Sequence, residues 1–321
     1  MIGSSLPQEL LPPLPASSLP LSRHELDRDY LSRNEPELFE RLWADTATRV
    51  LLLWKGNALL DDDGALALLP TASVPAEQLQ LYLGRAIGED STGVAFVAAV
   101  LSDEIAESIN PDPAAWGNLR MLGTKLSDLQ AGLFTAALAL ANWHASHGFS
   151  PRTGARTVPE LGGWVRRSVE DGGDVFPRTD PAIIVGIIDS KDRILLGSNA
   201  LWEKNRFSLL AGFVEPGESL ESAVIREVFE ESGIRVIDPV YRGSQPWPFP
   251  ASLMLGFTAR VDPNVESTLT PDGAEILALR WFSREELAAS LDEISLPGRT
   301  SIARAIIEDW YGGPIDDRIQ W

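Results

Sequence analysis

The stretch "EPGESLESAVIREVFEESG", residues 215–233, constrains this chain more than any other. It crowds Glu215, Glu218, Glu221, Glu227, Glu230 and Glu231 around a single basic residue, Arg226. Like charges three or four apart on a helix repel. Such a segment is therefore either a solvated acidic face or a place that holds a cation. Pro216-Gly217 dictates a turn, and Ser219 is a good N-cap, with Glu221 in the first turn where the helix dipole favours an anion. Gly233 is the C′ stop, so a helix is predicted from Leu220 to Ser232. At about 100° per residue, Glu227, Glu230 and Glu231 share one face. Val224, Ile225, Val228 and Phe229 fall on another arc, expected to pack on a sheet. Convergent carboxylates are hard oxygen donors, suited to Mg²⁺ or Mn²⁺.

The rest of the chain narrows the setting. Its 321 residues are enough for two or three domains, and 44% hydrophobic content supports packed cores. No apolar run reaches the roughly 18 residues of a membrane span. The opening "MIGSSLPQELLPPLPASSLPLSRHELDRDY" lacks a basic n-region before an apolar core, so no secretory signal is expected. Its Pro and Ser predict an extended arm laid over a domain surface. There are no cysteines, which excludes disulfides, thiolate catalysis and cysteine-ligated zinc and fits a cytoplasmic protein. A net charge of -19 disfavours nonspecific nucleic-acid binding, which relies on Lys and Arg at phosphates. A phosphorylated substrate is still accessible if divalent cations bridge it to the protein.

Hydrophobic patterning gives an α/β (α+β) reading in three parts. In residues 1–145, "TRVLLLWKGNALL" and "GVAFVAAVL" read as strands, and "NLRMLGTKLSDLQAGLFTAALALANWHASHG" as a turn and a long helix. Residues 146–177, rich in Gly, Arg, Ser and Asp, read as a linker or small irregular module. In residues 178–321, "AIIVGIID", "RILLGS", "FSLLAGF", "SLMLGFTARV" and "ALRWFS" read as strands, and "SREELAASL" and "TSIARAIIEDWY" as helices.

Gly212, Glu218, Arg226, Glu227, Val228, Glu230, Glu231, Gly233 and Ile234 follow G-x5-E-x7-R-E-U-x-E-E-x-G-U, with U aliphatic. This pattern resembles the Nudix box. The resemblance implies an α/β/α sandwich that hydrolyses a nucleoside diphosphate linked to another group, with divalent metal. It implies that Glu227, Glu230 and Glu231 ligate the metals, that Gly212 lends its carbonyl, and that Arg226 and Glu218 pair to hold the loop.

"SQPWPFPAS", Ser244 to Ser252, has the Pro and aromatic density of a stiff loop presenting rings; a hydrophobic loop packed on the core has the same composition. Downstream of the box it is similar to the S-Q-P-W-P-F-P-x-S array of the NADH pyrophosphatase family. Members of that family split NAD(H) into nicotinamide mononucleotide and AMP, and some remove NAD caps from RNA 5′ ends. The resemblance makes Phe213, Ser244, Gln245, Trp247, Phe249, Ser252 and Ala303 substrate-binding residues, with rings at Phe213 and Trp247 bordering a base at a homodimer interface. It also makes Glu275, six residues before Trp281, a further metal ligand. "ALANWHASHGF" and "FPRTDPAIIV" resemble the family's hinge and the start of its catalytic domain. One departure stands out. Where many members carry the four cysteines of a zinc ribbon, this chain has Ser150, Thr153, Ser168 and Asp171. No structural zinc is expected from such a degenerate ribbon, with Trp164 and Phe176 as apolar anchors instead. His144 and His147 lie close by and are read as packing or capping residues. A broader dinucleotide diphosphatase, or one acting mainly on NAD-capped RNA, is the alternative within the enzyme class; a noncatalytic NAD or ADP-ribose sensor is a third reading, disfavoured because no box glutamate is missing.

Overall fold

The structure, a computed structural model, describes residues 12–75, 78–266 and 268–316. The chain forms two compact units. Of the described residues, one comprises 20–75, 78–179 and 246–253; the other comprises 12–19, 180–245, 254–266 and 268–316. Segments therefore cross between units: residues 12–19 belong with the C-terminal part of the chain, and the tip of a late hairpin belongs with its N-terminal part.

In the N-terminal unit, strands β1 (Leu26–Asp27), β2 (Arg49–Trp54), β3 (Asn57–Leu59), β4 (Leu68–Pro70), β5 (Leu79–Ala86), β6 (Ala95–Val100) and β7 (Trp116–Asn118) make a seven-stranded sheet, ordered β1-β5-β6-β2-β3-β7 with β4 also on β2. β2 and β6 run parallel. Both strands are nearly all apolar, as a sheet covered on both faces requires. Leu51, Leu53, Phe96 and Ala98 pack with Leu133, Phe134 and Leu138 of the long helix α4 (Asp128–Ser146), which follows the short α3 (Leu119–Leu122). The alternate residues Val50, Leu52 and Ala99 pack instead with Ala106 of α2 (Asp103–Ile109), and Val97 with Leu38 and Leu42 of α1 (Leu38–Ala44).

The segment expected to be irregular is ordered. Strands β8 (Thr157–Glu160), β9 (Val165–Ser168) and β10 (Asp174–Val175) form a three-stranded antiparallel sheet. The turn that precedes β8 and the turn between β9 and β10 carry the residues at the ribbon's cysteine positions. Ser150 Oγ accepts from the backbone of Arg152 and Thr153, at 3.3 and 3.4 Å, and Thr153 Oγ1 accepts from Ala155 N at 3.2 Å. Asp171 accepts from Gly173 N at 3.1 Å and pairs with Arg152. Hydroxyl and carboxylate hydrogen bonds thus shape both turns. Of the expected anchors, Trp164 holds, donating from Nε1 to Tyr82 O at 2.7 Å, but Phe176 is 65% exposed and anchors nothing. His144 is buried. Its Nε2 meets Gly163 O at 2.8 Å and its Nδ1 meets Arg166 at 2.7 Å, so it is a packing residue that ties α4 to this small sheet.

In the C-terminal unit, β11 (Asp180–Ile188), β12 (Ile194–Asn199), β13 (Leu210–Phe213), β14 (Val236–Trp247), β15 (Ser252–Val261) and β16 (Ile276–Phe282) form a six-stranded sheet ordered β14-β15-β11-β12-β16, with β13 on β11. Period-two alternation again assigns the faces. Ile183, Val185, Ile187 and Leu195 pack with Ala223, Val224 and Val228 of helix α5 (Leu220–Ser232). Ile184, Ile194 and Leu196 pack with Leu287 of α6 (Arg284–Ser290) and with Ile302, Ile306 and Ile307 of α7 (Ile302–Tyr311). The result is an α/β/α sandwich. Residues 1–11 of the expected surface arm lie outside the described residues; beyond them, Leu14 and Leu19 do not lie on the surface but are buried in the core beside α7. No helix among the described residues is long and apolar enough to cross a membrane.

Two expectations for local structure are corrected. On α5 the buried arc is Ala223, Val224 and Val228, while Ile225 and Phe229 are 41% and 45% exposed. Ser244–Trp247 is not loop but the end of β14, so the turn is confined to residues 248–251.

Candidate active site

Helix α5 begins at Ser219, whose Oγ accepts from Ser222 N at 3.1 Å, and ends at Gly233 in the left-handed conformation. Before it, Glu215 N–H donates to Glu218 Oε2 at 3.0 Å, closing the turn around Gly217. Arg226 then locks loop to helix. Its Nε and Nη2 grip Glu218 in a bidentate pair at 2.7 and 2.8 Å, and Nη2 reaches the Phe213 carbonyl at 3.0 Å. Its Nη1 lies 2.8 Å from Glu227 and 2.9 Å from Glu230. A fork bonding a carboxylate at two points fixes direction as well as distance. The same guanidinium, joined by the Glu215 N–H, holds Glu218 down to about 2, and its own pKa is raised by these carboxylates, Glu218 foremost.

Gly212 sits on β13, paired with Ile183 of β11. A Cβ there would overlap the Glu227 carboxylate. The glycine that opens the motif is needed for this close approach of helix to strand.

Glu231 is the anomaly. It is 5% exposed, on the sheet-facing side of α5, and its Oε2 is buried without a hydrogen-bond partner. Burial, with the charges of Glu227, Glu275 and Asp272 facing it, pushes its pKa up to about 8. Burial also raises Glu227, against the pull of Arg226. Glu275 precedes β16, where Asn199 Nδ2 donates to its Oε1 at 3.2 Å. Asp272 accepts from the backbone N–H groups of Ala274, Glu275 and Ile276 at 2.8–3.1 Å, and those bonds hold its pKa low. Asp272 and Asn199 were missed in the sequence. The "DG" at 272–273 signals a turn there, but nothing local says which carboxylate it aims.

The donor set offers hard oxygens suited to a divalent cation: the buried Glu231 Oε2 has no donor, and the charges of Glu227, Glu275 and Asp272 bear on it. Among the described residues, no group of three acidic or histidine side chains forms a ready-made coordination cluster.

The expected substrate residues fall into both units. The Phe213 ring is 59% exposed at the end of β13. Ser244 is half-buried. Gln245 is fully buried and donates to Thr300 O at 2.9 Å, and the Ala303 side chain is buried in the core at 1% exposure. Trp247, Phe249 and Ser252 lie, half-buried, in the hairpin tip that belongs to the N-terminal unit.

A box of this kind on an α/β/α sandwich defines a Nudix hydrolase. Residues 177–304 match the NUDIX domain, and residues 47–143 match the NADH pyrophosphatase-like rudimentary NUDIX domain. The chain is 41% identical over 308 residues to "NAD-capped RNA hydrolase NudC" of Mycobacterium bovis, covering 90% of this chain and 94% of that protein. The Mycobacterium tuberculosis protein of the same name matches to the same extent, and a "NAD-capped RNA hydrolase" of Schizosaccharomyces pombe is 36% identical over 66% of this chain and 65% of its own length. The protein belongs to the NudC-type, NADH pyrophosphatase family of Nudix hydrolases.

Proposed function

We propose that this enzyme hydrolyses the diphosphate of NAD(H) to nicotinamide mononucleotide and AMP. The observation that carries the reading is the buried Glu231 carboxylate, its Oε2 without a donor, under the charges of Glu227, Glu275 and Asp272 beside an intact Glu218–Arg226 clamp. Glu227, Glu230, Glu231 and Glu275, with the Gly212 carbonyl, are the residues that would hold Mg²⁺ or Mn²⁺. What a bound divalent cation supplies is neutralisation of the diphosphate, polarisation of phosphorus and acidification of the attacking water. Arg226 and Glu218 keep the loop and helix in register. The rings of Trp247 and Phe249, with Ser252 beside them in the chain, recognise a base plane, and Phe213 and Ser244 are further substrate-binding residues. Gln245 and Ala303, being buried, contribute by fixing backbone. The reading includes a catalytic segment from residue 178 onward, a cytoplasmic homodimer and no structural zinc.

NAD-capped RNA is the second substrate supported, through the names of the relatives. The test is incubation with NADH, NAD⁺ or NAD-capped RNA and Mg²⁺ or Mn²⁺, followed by assay for AMP or for RNA with a 5′-monophosphate. Release from at least one substrate, abolished by chelator, is the expected result. No release from any of them overturns the proposal.

A further inference from the structure

The aromatic tip at Pro246–Leu253 is held by side chains of the N-terminal unit. Asn142, on helix α4, donates from Nδ2 to Pro248 O at 2.9 Å and to Pro250 O at 3.2 Å. Arg120, on α3, places its guanidinium 4.1 Å from the centroid of Phe249 and 5.1 Å from that of Trp247. The two rings meet edge to face at 5.0 Å, and Phe249 N–H donates to Trp247 O at 2.7 Å. Both rings pack against the cluster built on Leu133, Phe134 and Leu138. A loop with three prolines has few backbone N–H groups with which to brace itself. Here the bracing comes from outside: an amide caps two of its carbonyls, and a cation lies over both rings.

We propose that Arg120 and Asn142 are positioning residues for base recognition, setting the orientation of Trp247 and Phe249 without touching the diphosphate. This rests on the reading of those rings as the base platform. It gives the N-terminal unit a part in substrate specificity. A planar ligand gains from stacking only if the ring is already oriented, because ordering a mobile ring on binding costs affinity.

The test is a double-mutant cycle on the full chain with NADH. Arg120→Ala and Asn142→Asp should each raise KM about tenfold, within the range for losing one base stack, and leave kcat within about threefold. Arg120→Lys, which keeps a cation over the rings, should recover most of the loss. In a Trp247→Ala/Phe249→Ala background, Arg120→Ala should add nothing, since its effect passes through those rings. An additive effect there, or a fall in kcat at constant KM, overturns the inference. So does a parent-like KM for Arg120→Ala or Asn142→Asp. If Arg120→Ala fails to fold, Arg120→Lys and Asn142→Asp decide by the same KM criterion. If Trp247→Ala/Phe249→Ala leaves KM unchanged while AMP is still released, the platform reading fails and the inference with it. A parent enzyme that releases no AMP would instead locate the failure in the proposed reaction.

Discussion

A buried carboxylate oxygen with no donor is expensive to keep charged, and Glu231 bears that cost on a helix whose exposed face had room for it. Glu227 bears a smaller version, pressed against Gly212 and drawn by Arg226. Glu227→Gln and Glu231→Gln should each lower kcat by about 10²-fold or more, the scale for losing metal-organised electrostatic stabilisation. In chelator, Glu231→Gln should melt no lower than the parent, because the substitution removes repulsion from a crowded site. Steady-state kinetics and thermal melts check the pair; near-parent turnover in both variants would remove the metal assignment. Gly212→Ala should cost about 10²-fold in kcat with the fold retained, since an added methyl displaces Glu227 by a fraction of its own width. Circular dichroism beside kinetics separates that outcome from unfolding.

Helix α5 is positioned from both sides, by its packed arc on the sheet and by the Arg226 clamp. Arg226→Lys keeps the charge and loses the fork, so the loop at residues 214–218 should become more open to proteolysis and activity should fall. Limited proteolysis with mass mapping checks this. Helix α4 is tied to the small sheet through His144, whose pKa burial lowers from 6.5 to about 4. Above pH 6.5 the imidazole is neutral in both folded and unfolded chains, and the full contribution to stability is present. As the pH falls from about 6.5 towards 4, the unfolded chain takes up a proton that the folded one excludes. Stability should decline by up to about 3 kcal/mol across that window. Melts of the parent and of His144→Gln between pH 7.5 and 4.5 test this; the parent should show the steeper loss.

At the scale of the whole molecule, hydrogen-bonding side chains stand at positions where many family members carry zinc-ribbon cysteines. Ser150 and Thr153 shape the turn before β8, and Asp171 the turn between β9 and β10, with local bonds that need no ion. Elemental analysis of the purified protein should find no stoichiometric zinc, and chelation should abolish activity yet leave the melting temperature nearly unchanged. A structural zinc would behave oppositely, because its binding is folding free energy. One tightly held zinc per chain, with unfolding on its removal, is the result that would contradict this.

The sequence alone determined the Nudix helix, its caps, strands β2, β3, β6, β11, β12, β13, β15 and β16 of the two large sheets, and the glutamates of the box; β5 and β14 were not legible in it. Each of these is written in local spacing: a turn residue, a capping hydroxyl, a period of two or of 3.6. Tertiary structure decided the rest. Ile225 and Phe229 share the apolar composition of Val224 and Val228, yet only the latter pair is buried, because the width of the face against the sheet is set by β11 and β12. Glu231, like its neighbours in the sequence, reads as one acidic residue among several; its burial depends on strands and turns far from it in the chain. Asp272 and Asn199 entered the site through chain segments that no motif spans. The aromatic tip reads in the sequence as a stiff loop, either presenting rings or packed on the core, and its support by Arg120 and Asn142 appears only once residues more than a hundred positions apart are brought together. Local spacing encodes which face an element offers, whereas contact partners are a property of the packed chain.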